Sequence, residues 1–327
     1  MTHRHMMATR QARAWRLALV VALCAVPGWC AAQAGWPERQ VQLIVPFPAG
    51  GAVDVVARAF AERFGEFTGR PVVIVNRDGA SGTIGVAQVA AARPDGHTLG
   101  FVTHGPLVIQ PHLMKDLPYR PDSVVPICQA FAGQFVLAVA PTSALGSLGD
   151  LLAAGRARPG KLSFGFGGVG TTPHLVMSQF ANTAGLDLLA VPFRGDPAAI
   201  LALRAGEIDV APVNLGLARA QGLRVLATFA EERQTAFPGA PTLKESGWNI
   251  AGSVYGGLVA PRGVAEEIVR RIDAACEKAA ADERYRTIMK NAAQEPVYRG
   301  AAAFSRMLAQ DLEANREFVR AAKIPPQ

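Results

Sequence analysis

Three consecutive segments of the chain share one pattern, in which an apolar strand is followed by a Gly-rich loop. In residues 41–64, Leu43-Ile44-Val45 predicts a buried strand, the sequence PFPAGG breaks it, and apolar residues at helical spacing follow. Residues 71–90 repeat the strand, loop and helix, and residues 99–106 repeat the strand and loop. Such alternation predicts a parallel sheet with helices on its faces. Ligands bind at the carboxyl ends of strands in such sheets, where all three loops fall.

The first of these loops has two interpretations. Gly50 and Gly51 let a ligand approach the backbone closely, and the helix that follows directs unpaired N–H groups and its positive end at the same spot. These features suit an anion. The alternative is a plain connection between a strand and a helix, which every α/β protein needs. The segment alone leaves both interpretations open.

The first 34 residues have the features of a secretory signal peptide. Four arginines precede an apolar run from Leu17 to Val26, and Ala32-Gln33-Ala34 fits a signal-peptidase site. The run is too short to cross a membrane, so we expect cleavage after Ala34 and an exported mature protein. A lipoprotein lipidated at Cys24 or Cys30 is the alternative, although neither cysteine follows the small residues that lipidation requires.

Composition argues against several classes of function. Removing the four leader arginines from the 33 basic residues leaves 29, against 26 acidic ones. No block of Lys and Arg carries interleaved aromatics, so we expect no nucleic acid as partner. No Cys/His cluster has metal-ligand spacing, and we expect neither a metal nor a cofactor. Cys128 and Cys276 remain in the mature chain, either as a disulfide, which an oxidising compartment permits, or as two buried free thiols.

The pattern of strand, Gly-rich loop and helix returns in the second half of the chain. A strand over 161–166 precedes the loop 167–173, and a strand over 188–192 ends in Phe193-Arg194-Gly195. These repeats predict two α/β lobes. We place lobe 1 at residues 35–137 plus 254–327 and lobe 2 at residues 138–253, with crossings near 132–140 and 250–256.

Two charged residues in these loops also have two interpretations each. Asp54 contacts a ligand, or it only stabilises the first turn of its helix by about 0.3–1 kcal/mol. Arg194 pairs with a ligand carboxylate, or only with Asp187 or Asp196. Few other charges occur in the loops. The loops therefore favour the binding of a small carboxylated ligand rather than catalysis.

Enzymatic alternatives rest on weaker patterns. Ser81, His104 and Asp54 fall at strand ends and would form the triad of a secreted hydrolase, but Ser81 lacks a G-x-S-x-G elbow. Gly165-x-Gly167-x-x-Gly170 matches a dinucleotide fingerprint. The next strand ends at Phe193-Arg194 rather than at the acidic residue that the fingerprint requires.

A series of motifs resembles one known family. They are Val45-Pro46-Phe47-Pro48-Ala49-Gly50-Gly51-x-x-Asp54, Val75-Asn76-Arg77-x-Gly79-Ala80-x-Gly82-x-Ile84-Gly85, Pro94-Asp95-Gly96-His97-Thr98-Leu99, Leu117-Pro118-Tyr119, Gly168-x-Gly170-Thr171-x-Pro173-His174-Leu175, Val191-Pro192-Phe193-Arg194-Gly195 and Gly256-Gly257-Leu258-Val259-Ala260-Pro261. From Trp36 to the C-terminus the chain resembles the Bug family of periplasmic solute-binding proteins. These are the extracytoplasmic receptors of tripartite tricarboxylate transporters.

The resemblance implies an α/β, two-lobe periplasmic binding protein fold (type II, or Venus flytrap), with each lobe a sheet flanked by helices. It implies a monomeric receptor, not an enzyme, that delivers a small carboxylated ligand to the inner-membrane permease of such a transporter. The ligand carboxylate is expected against Ala49-Gly50-Gly51, often through bridging waters. The implied ligand-binding residues are Phe47, Ala49, Gly50, Gly51, Asp54, Gly82, Thr83, Thr103, His104, Gly168, Gly170, Thr171, Thr172, His174, Phe193, Arg194, Gly195 and Asn214.

The chain departs from the family pattern at several positions, including one segment that flanks the expected cleft. The segment 210–222 is a few residues shorter than is usual, and Val213 and Ala202 replace two acidic residues. Tyr255 stands where the family often has Trp. The shortened segment predicts a changed pocket or weak binding. A further alternative is a ligand-sensing input protein for a membrane sensor kinase.

Overall fold

The computed structural model describes residues 35–325, so the predicted signal peptide lies outside the described residues. The strands are β1 (Val41–Val45), β2 (Val72–Asn76), β3 (Thr98–Thr103), β4 (Val124–Val139), β5 (Leu162–Phe166), β6 (Leu188–Pro192), β7 (Ala211–Asn214), β8 (Arg224–Thr228), β9 (Ser253–Pro261) and β10 (Glu295–Gly300). The helices are α1 (Ala52–Thr68), α2 (Thr83–Ala90), α3 (His104–Val108), α4 (Leu148–Ala157), α5 (Thr172–Ala184), α6 (Asp196–Ala205), α7 (Leu215–Ala220), α8 (Glu266–Ala281), α9 (Glu283–Asn291) and α10 (Ala301–Ala322).

The larger sheet is organised around β4, which is 16 residues long. Its first part, residues 124–134, pairs antiparallel with β9 on one side and with β10 on the other. The sheet continues from β9 through β3 and β1 to β2, and β1 runs parallel to both of its neighbours. The second part of β4, residues 135–139, pairs antiparallel with β7 and β8 instead. Strands β5 and β6 form a separate parallel pair.

This pairing gives the two-lobe α/β architecture that the sequence predicts, with β4 running through both lobes. The second predicted crossing lies just before β9, where Gly252 donates its N–H to the Phe229 carbonyl (2.9 Å). Phe229, directly after β8, in turn donates its N–H to the Phe135 carbonyl of β4 (3.0 Å). The proposed boundaries, at residues 137/138 and 253/254, remain a prediction.

Some elements differ from the prediction. The strand expected over 135–140 is only the last part of β4. Its first part was not predicted, because residues 124–134 mix apolar residues with Pro126 and Gln129 and show no alternation. Strand β10 was missed, since its residues are mostly exposed or half-buried and lack a two-residue hydrophobic period. The short helix α3 follows β3 directly, where a loop was expected.

A disulfide ties the sheet of lobe 1 to its flanking helix. Cys128 of β4 is bonded to Cys276 of α8, and both side chains are fully buried. The two cysteines therefore form a disulfide, and the alternative of two buried free thiols is wrong. Aromatic side chains pack in the same lobe, with Phe60 against both Phe101 and Tyr285.

We expect the double substitution Cys128→Ala with Cys276→Ala to lower the free energy of unfolding by roughly 2–5 kcal/mol. The bond joins residues separated by 148 positions and therefore restricts the unfolded chain. Urea titration followed by circular dichroism measures the change. The control is the wild-type protein under a reducing agent, which keeps both sulfur atoms and should lose a similar amount. Equal stability of the oxidised wild type and the double variant would contradict the expectation.

Candidate functional site

The carboxyl ends of five strands are followed closely by helix starts that surround one cavity. Strands β1, β3, β5, β6 and β7 precede α1, α3, α5, α6 and α7, respectively. The centre of a water-sized sphere can reach about 70 Å³ of this cavity, which is several times the volume that one water molecule needs. Its lining is Phe47, Pro48, Gly51, Ala52, Val53, Ser81, Thr103, His104, Gly105, Pro106, Gln110, Phe135, Gly167, Gly170, Thr171, Thr172, Pro173, Gly195, Asp196, Pro197, Asn214 and Val254.

The start of α1 lies at this cavity. No side chain caps the helix after Gly51, and the first-turn residues Ala52 and Val53 line the cavity. First-turn N–H groups have no acceptor within their own helix and carry the positive end of the helix dipole. A Cβ on Gly51 would lie 3.3 Å from the Pro48 carbonyl oxygen and 3.8 Å from Cδ of Pro197 in lobe 2. A larger side chain here would therefore occupy space between the lobes.

Asp54 holds the loop before α1 rather than lining the cavity. Its buried carboxylate accepts hydrogen bonds from the Gly50 N–H (3.0 Å), from Arg58 Nε (2.9 Å) and from Asn76 Nδ2 (2.8 Å). Burial opposes the charged form, but these hydrogen bonds outweigh it and lower the pKa of the carboxyl. Asn76 also donates to the Phe47 carbonyl (3.0 Å). Asp54 thus joins the loop to the end of β2.

His104 lies in the cavity wall at the start of α3. Its ring stacks on Tyr255 with centroids 4.3 Å apart, and its Nε2 lies 3.1 Å from the Thr172 hydroxyl of lobe 2. Burial lowers the pKa of the imidazole to about 4, so His104 is neutral at pH 7. The hydroxyl of Tyr255 donates to Asp311 of α10.

His174 holds the loop that precedes α5 and contains Gly170. Its Nδ1 accepts a hydrogen bond from the Gly170 N–H (3.0 Å), and its ring stacks on Phe166 at 3.9 Å. Burial lowers its pKa to about 4. His174 therefore positions Gly170, which lines the cavity, without lining it itself.

The two lobes touch beside the cavity. Ser81 Oγ donates to the Val169 carbonyl (2.6 Å), and Gln110 Nε2 donates to the carbonyls of Val169 and Gly170, both at 3.1 Å. Arg194 forms an ion pair with Asp78 at 2.5 Å. Arg194 therefore pairs with neither Asp187 nor Asp196, and a contact with a ligand carboxylate stays a prediction.

The structure places the predicted ligand-binding residues in two groups. Those that line the cavity are Phe47, Gly51, Thr103, His104, Gly170, Thr171, Thr172, Gly195 and Asn214. Those that do not are Ala49, Gly50, Asp54, Gly82, Thr83, Gly168, His174, Phe193 and Arg194. Four of the second group, Gly82, Gly168, Phe193 and Arg194, line an adjoining opening instead. Ala49 and Gly50 are exposed, and Thr83 is buried with its hydroxyl bonded to the Ala80 carbonyl (2.9 Å).

Several lining residues were not predicted. Asp196 follows the Val191–Gly195 motif immediately, so its position next to that loop was a usable signal. Gln110 lies six residues beyond His104 and carried no signal in the sequence. Ser81 was considered only as a nucleophile, and here it links the two lobes.

The alternative hydrolase triad is not assembled. Ser81 bonds to Val169, His104 to Thr172 and Tyr255, and Asp54 to its own loop, α1 and β2. No hydrogen bond joins any two of these three residues. Within the described part of the chain, no group of three or more His, Cys, Asp or Glu side chains is arranged to hold a metal ion.

Two α/β lobes joined by a shared strand, with a small cavity at the strand ends between them, define a solute-binding protein. A family model described as "Tripartite tricarboxylate transporter family receptor" matches residues 56–324. The chain belongs to this family, which confirms the resemblance that the motifs carry. None of the described helices is long and apolar enough to cross a membrane.

Individual relatives agree with this assignment. The chain is 34% identical to the protein BugT of Bordetella pertussis over 261 residues, which is 76% of this chain and 80% of BugT. The periplasmic binding protein BugD superposes with a TM-score of 0.84 at 26% identity, covering 89% of this chain and all of BugD. The protein Rpa4515 of R. palustris, solved with adipate, superposes with a TM-score of 0.85 at 28% identity over the same share of this chain and all of its own.

We expect His174 to make stability fall on acidification. Its folded pKa of about 4 lies below the ordinary value of 6.5, so the unfolded chain takes up the proton first as the pH falls below 6.5. Between pH 7 and pH 5 this costs about 2 kcal/mol of unfolding free energy. Urea titrations of wild type and His174→Gln at both pH values measure it, because all other titrating groups are shared. Parallel pH profiles of the two proteins would refute the assignment.

Proposed function

We propose that this protein is a periplasmic receptor that binds a small carboxylated metabolite in the cavity between its lobes. It then delivers the ligand to an inner-membrane permease of the tripartite tricarboxylate type. The observation that carries the proposal is the convergence of helix starts on a cavity whose lining contains no Lys or Arg. A carboxylate in such a place is held by backbone N–H groups and helix dipoles, without a cationic side chain.

The donors come from both lobes. Lobe 1 offers the first-turn N–H groups of Ala52 and Val53, and lobe 2 offers the N–H of Thr172 at the start of α5. The Thr171 hydroxyl already donates to the Gly168 carbonyl (2.8 Å). Bridging waters extend the reach of such donors at little cost in enthalpy. A ligand that bonds to both lobes stabilises the closed arrangement relative to an open one.

Asn214 adds a further donor at the wall of the cavity. Its Oδ1 accepts hydrogen bonds from the Gly216 N–H (2.9 Å) and from Gln294 Nε2 (2.6 Å), which fixes the orientation of the amide. Its buried Nδ2 has no partner among the described residues. A buried donor without a partner is costly, and a ligand oxygen or a bridging water would relieve that cost. Segment 210–222, although short, thus still supplies a polar group to the cavity.

The cellular role follows from the family and from the leader. Membership in a family of transporter receptors supports a permease as partner, and the features of residues 1–34 support export. The relative solved with adipate supports a carboxylate as the ligand class. We expect the receptor to act as a monomer.

Isothermal titration against a panel of carboxylates tests the proposal, with succinate, malate, adipate, alanine and aspartate as the first compounds. We expect at least one of them to bind. Gly51→Val should weaken that binding at least tenfold, since its side chain would enter the space between the start of α1 and Pro197. Gly51 has φ −73°, so valine introduces no backbone strain there.

The matched control is Gly239→Val, at an exposed position where an added Cβ meets nothing within 4 Å. This variant should bind as the wild type does. Absence of binding by every carboxylate would sink the proposed function. Binding that Gly51→Val leaves unchanged would show that the ligand lies elsewhere.

A further inference from the structure

One acidic side chain in the cavity wall has no counter-charge. Asp196 begins α6 and lines the cavity, and His104 is the only other titratable residue in that lining. The Asp196 carboxylate forms no hydrogen bond or ion pair with any residue over 35–325. Its neighbour Arg194 is bonded to Asp78 instead. The cavity wall therefore carries a carboxylate but no cation.

The carboxylate is held against the backbone of a neighbouring loop. A Cβ on Gly167 would lie 2.6 Å from Asp196 Oδ1, so only glycine leaves room for the side chain at this point. The start of α6 also abuts the loop before α1, because Gly195 and Pro48 are so close that a Cβ on Gly195 would collide with the proline ring. Asp196 is thus placed beside the region that offers N–H groups to a ligand carboxylate.

Asp196 is half-buried, and its surroundings affect the charge of its carboxyl group. Burial raises the pKa of the Asp196 carboxyl to about 6, because no partner stabilises its charged form. A ligand ammonium group would supply the missing partner and would form a charge-assisted hydrogen bond with the carboxylate. A second ligand carboxylate in the same place would instead be repelled.

We infer that Asp196 selects ligands that carry a positively charged amino group beside a carboxylate, over hydroxy acids and dicarboxylates of similar size. The class of ligand is therefore the amino acids, with the carboxylate at the start of α1 and the ammonium group on Asp196. This inference rests on the proposed function, since it requires the ligand to occupy this cavity.

Matched pairs of ligands test the inference by isothermal titration. Alanine and lactate, and likewise aspartate and malate, share a skeleton and differ in an ammonium group against a hydroxyl. We expect the amino member of at least one pair to bind at least about tenfold more tightly. Asp196→Asn keeps the shape of the side chain and removes its charge, so it should lower the affinity for that amino acid at least about tenfold while the hydroxy acid is unaffected or improved.

The control for the charge change is Asp187→Asn, at an exposed position outside the cavity lining, which should leave the preference intact. Thermal unfolding of each variant checks the fold. If Asp196→Asn lowers only the melting temperature and leaves the preference unchanged, Asp196 merely stabilises the start of α6 and the inference is overturned. Equal or tighter binding of the hydroxy acids by the wild type would overturn it as well.

Failure of this inference is distinguishable from failure of the proposed function. If carboxylates bind, are lost in Gly51→Val and show no preference for the amino members, only the role of Asp196 is wrong. If no compound of either kind binds, the proposed function falls and this inference falls with it.

Discussion

The unpaired N–H groups at the helix starts are the constraint on which the cavity depends. Helix starts such as those of α1 and α5 have no side-chain cap, and both lie at the same small cavity. Water or a ligand must satisfy them there. The two-lobe fold serves this need because β4 is paired in both lobes and brings their strand ends to one cleft. The chemistry of the site is therefore mainly chemistry of the backbone.

Side chains around the cavity act more by holding loops than by facing a ligand. Asp54 ties the loop before α1 to β2, and His174 fixes Gly170 through its N–H. Both remain in one charge state at neutral pH, Asp54 because its hydrogen bonds favour the carboxylate and His174 because burial favours the neutral ring. Loops built largely from glycine would otherwise be free to move, so these buried polar contacts give the donors a fixed geometry.

Much of the fold could be predicted because the strands near Leu43, Val102 and Phe164 carry strong apolar runs bounded by glycine and proline. Glycine and proline also marked the starts of helices such as α1 and α5, although α3 was expected to be a loop. What could not be predicted depends on three-dimensional pairing. Strand β10 has no pattern of its own and exists only because β4 offers an edge for it. For the same reason the motifs located the loops of the candidate site without showing which loop residues turn towards the cavity. Gly51 lines it and Gly50 does not.

The role inferred for Asp196 would make the site selective through the absence of a cationic side chain. A carboxylate ligand is usually associated with an arginine or lysine, yet the nearby Arg194 is bonded to Asp78 and the cavity wall contains neither residue type. If the helix starts bind the ligand carboxylate, the site needs no cationic side chain for it. An unpaired acidic side chain then indicates a positively charged group elsewhere on the ligand. In the role inferred for Asp196, its charge would repel a negative group placed beside it and attract an ammonium group there. Specificity would then depend on one side chain beside the backbone donors that bind the carboxylate. That side chain directly follows the motif that ends at Gly195 but is not part of it.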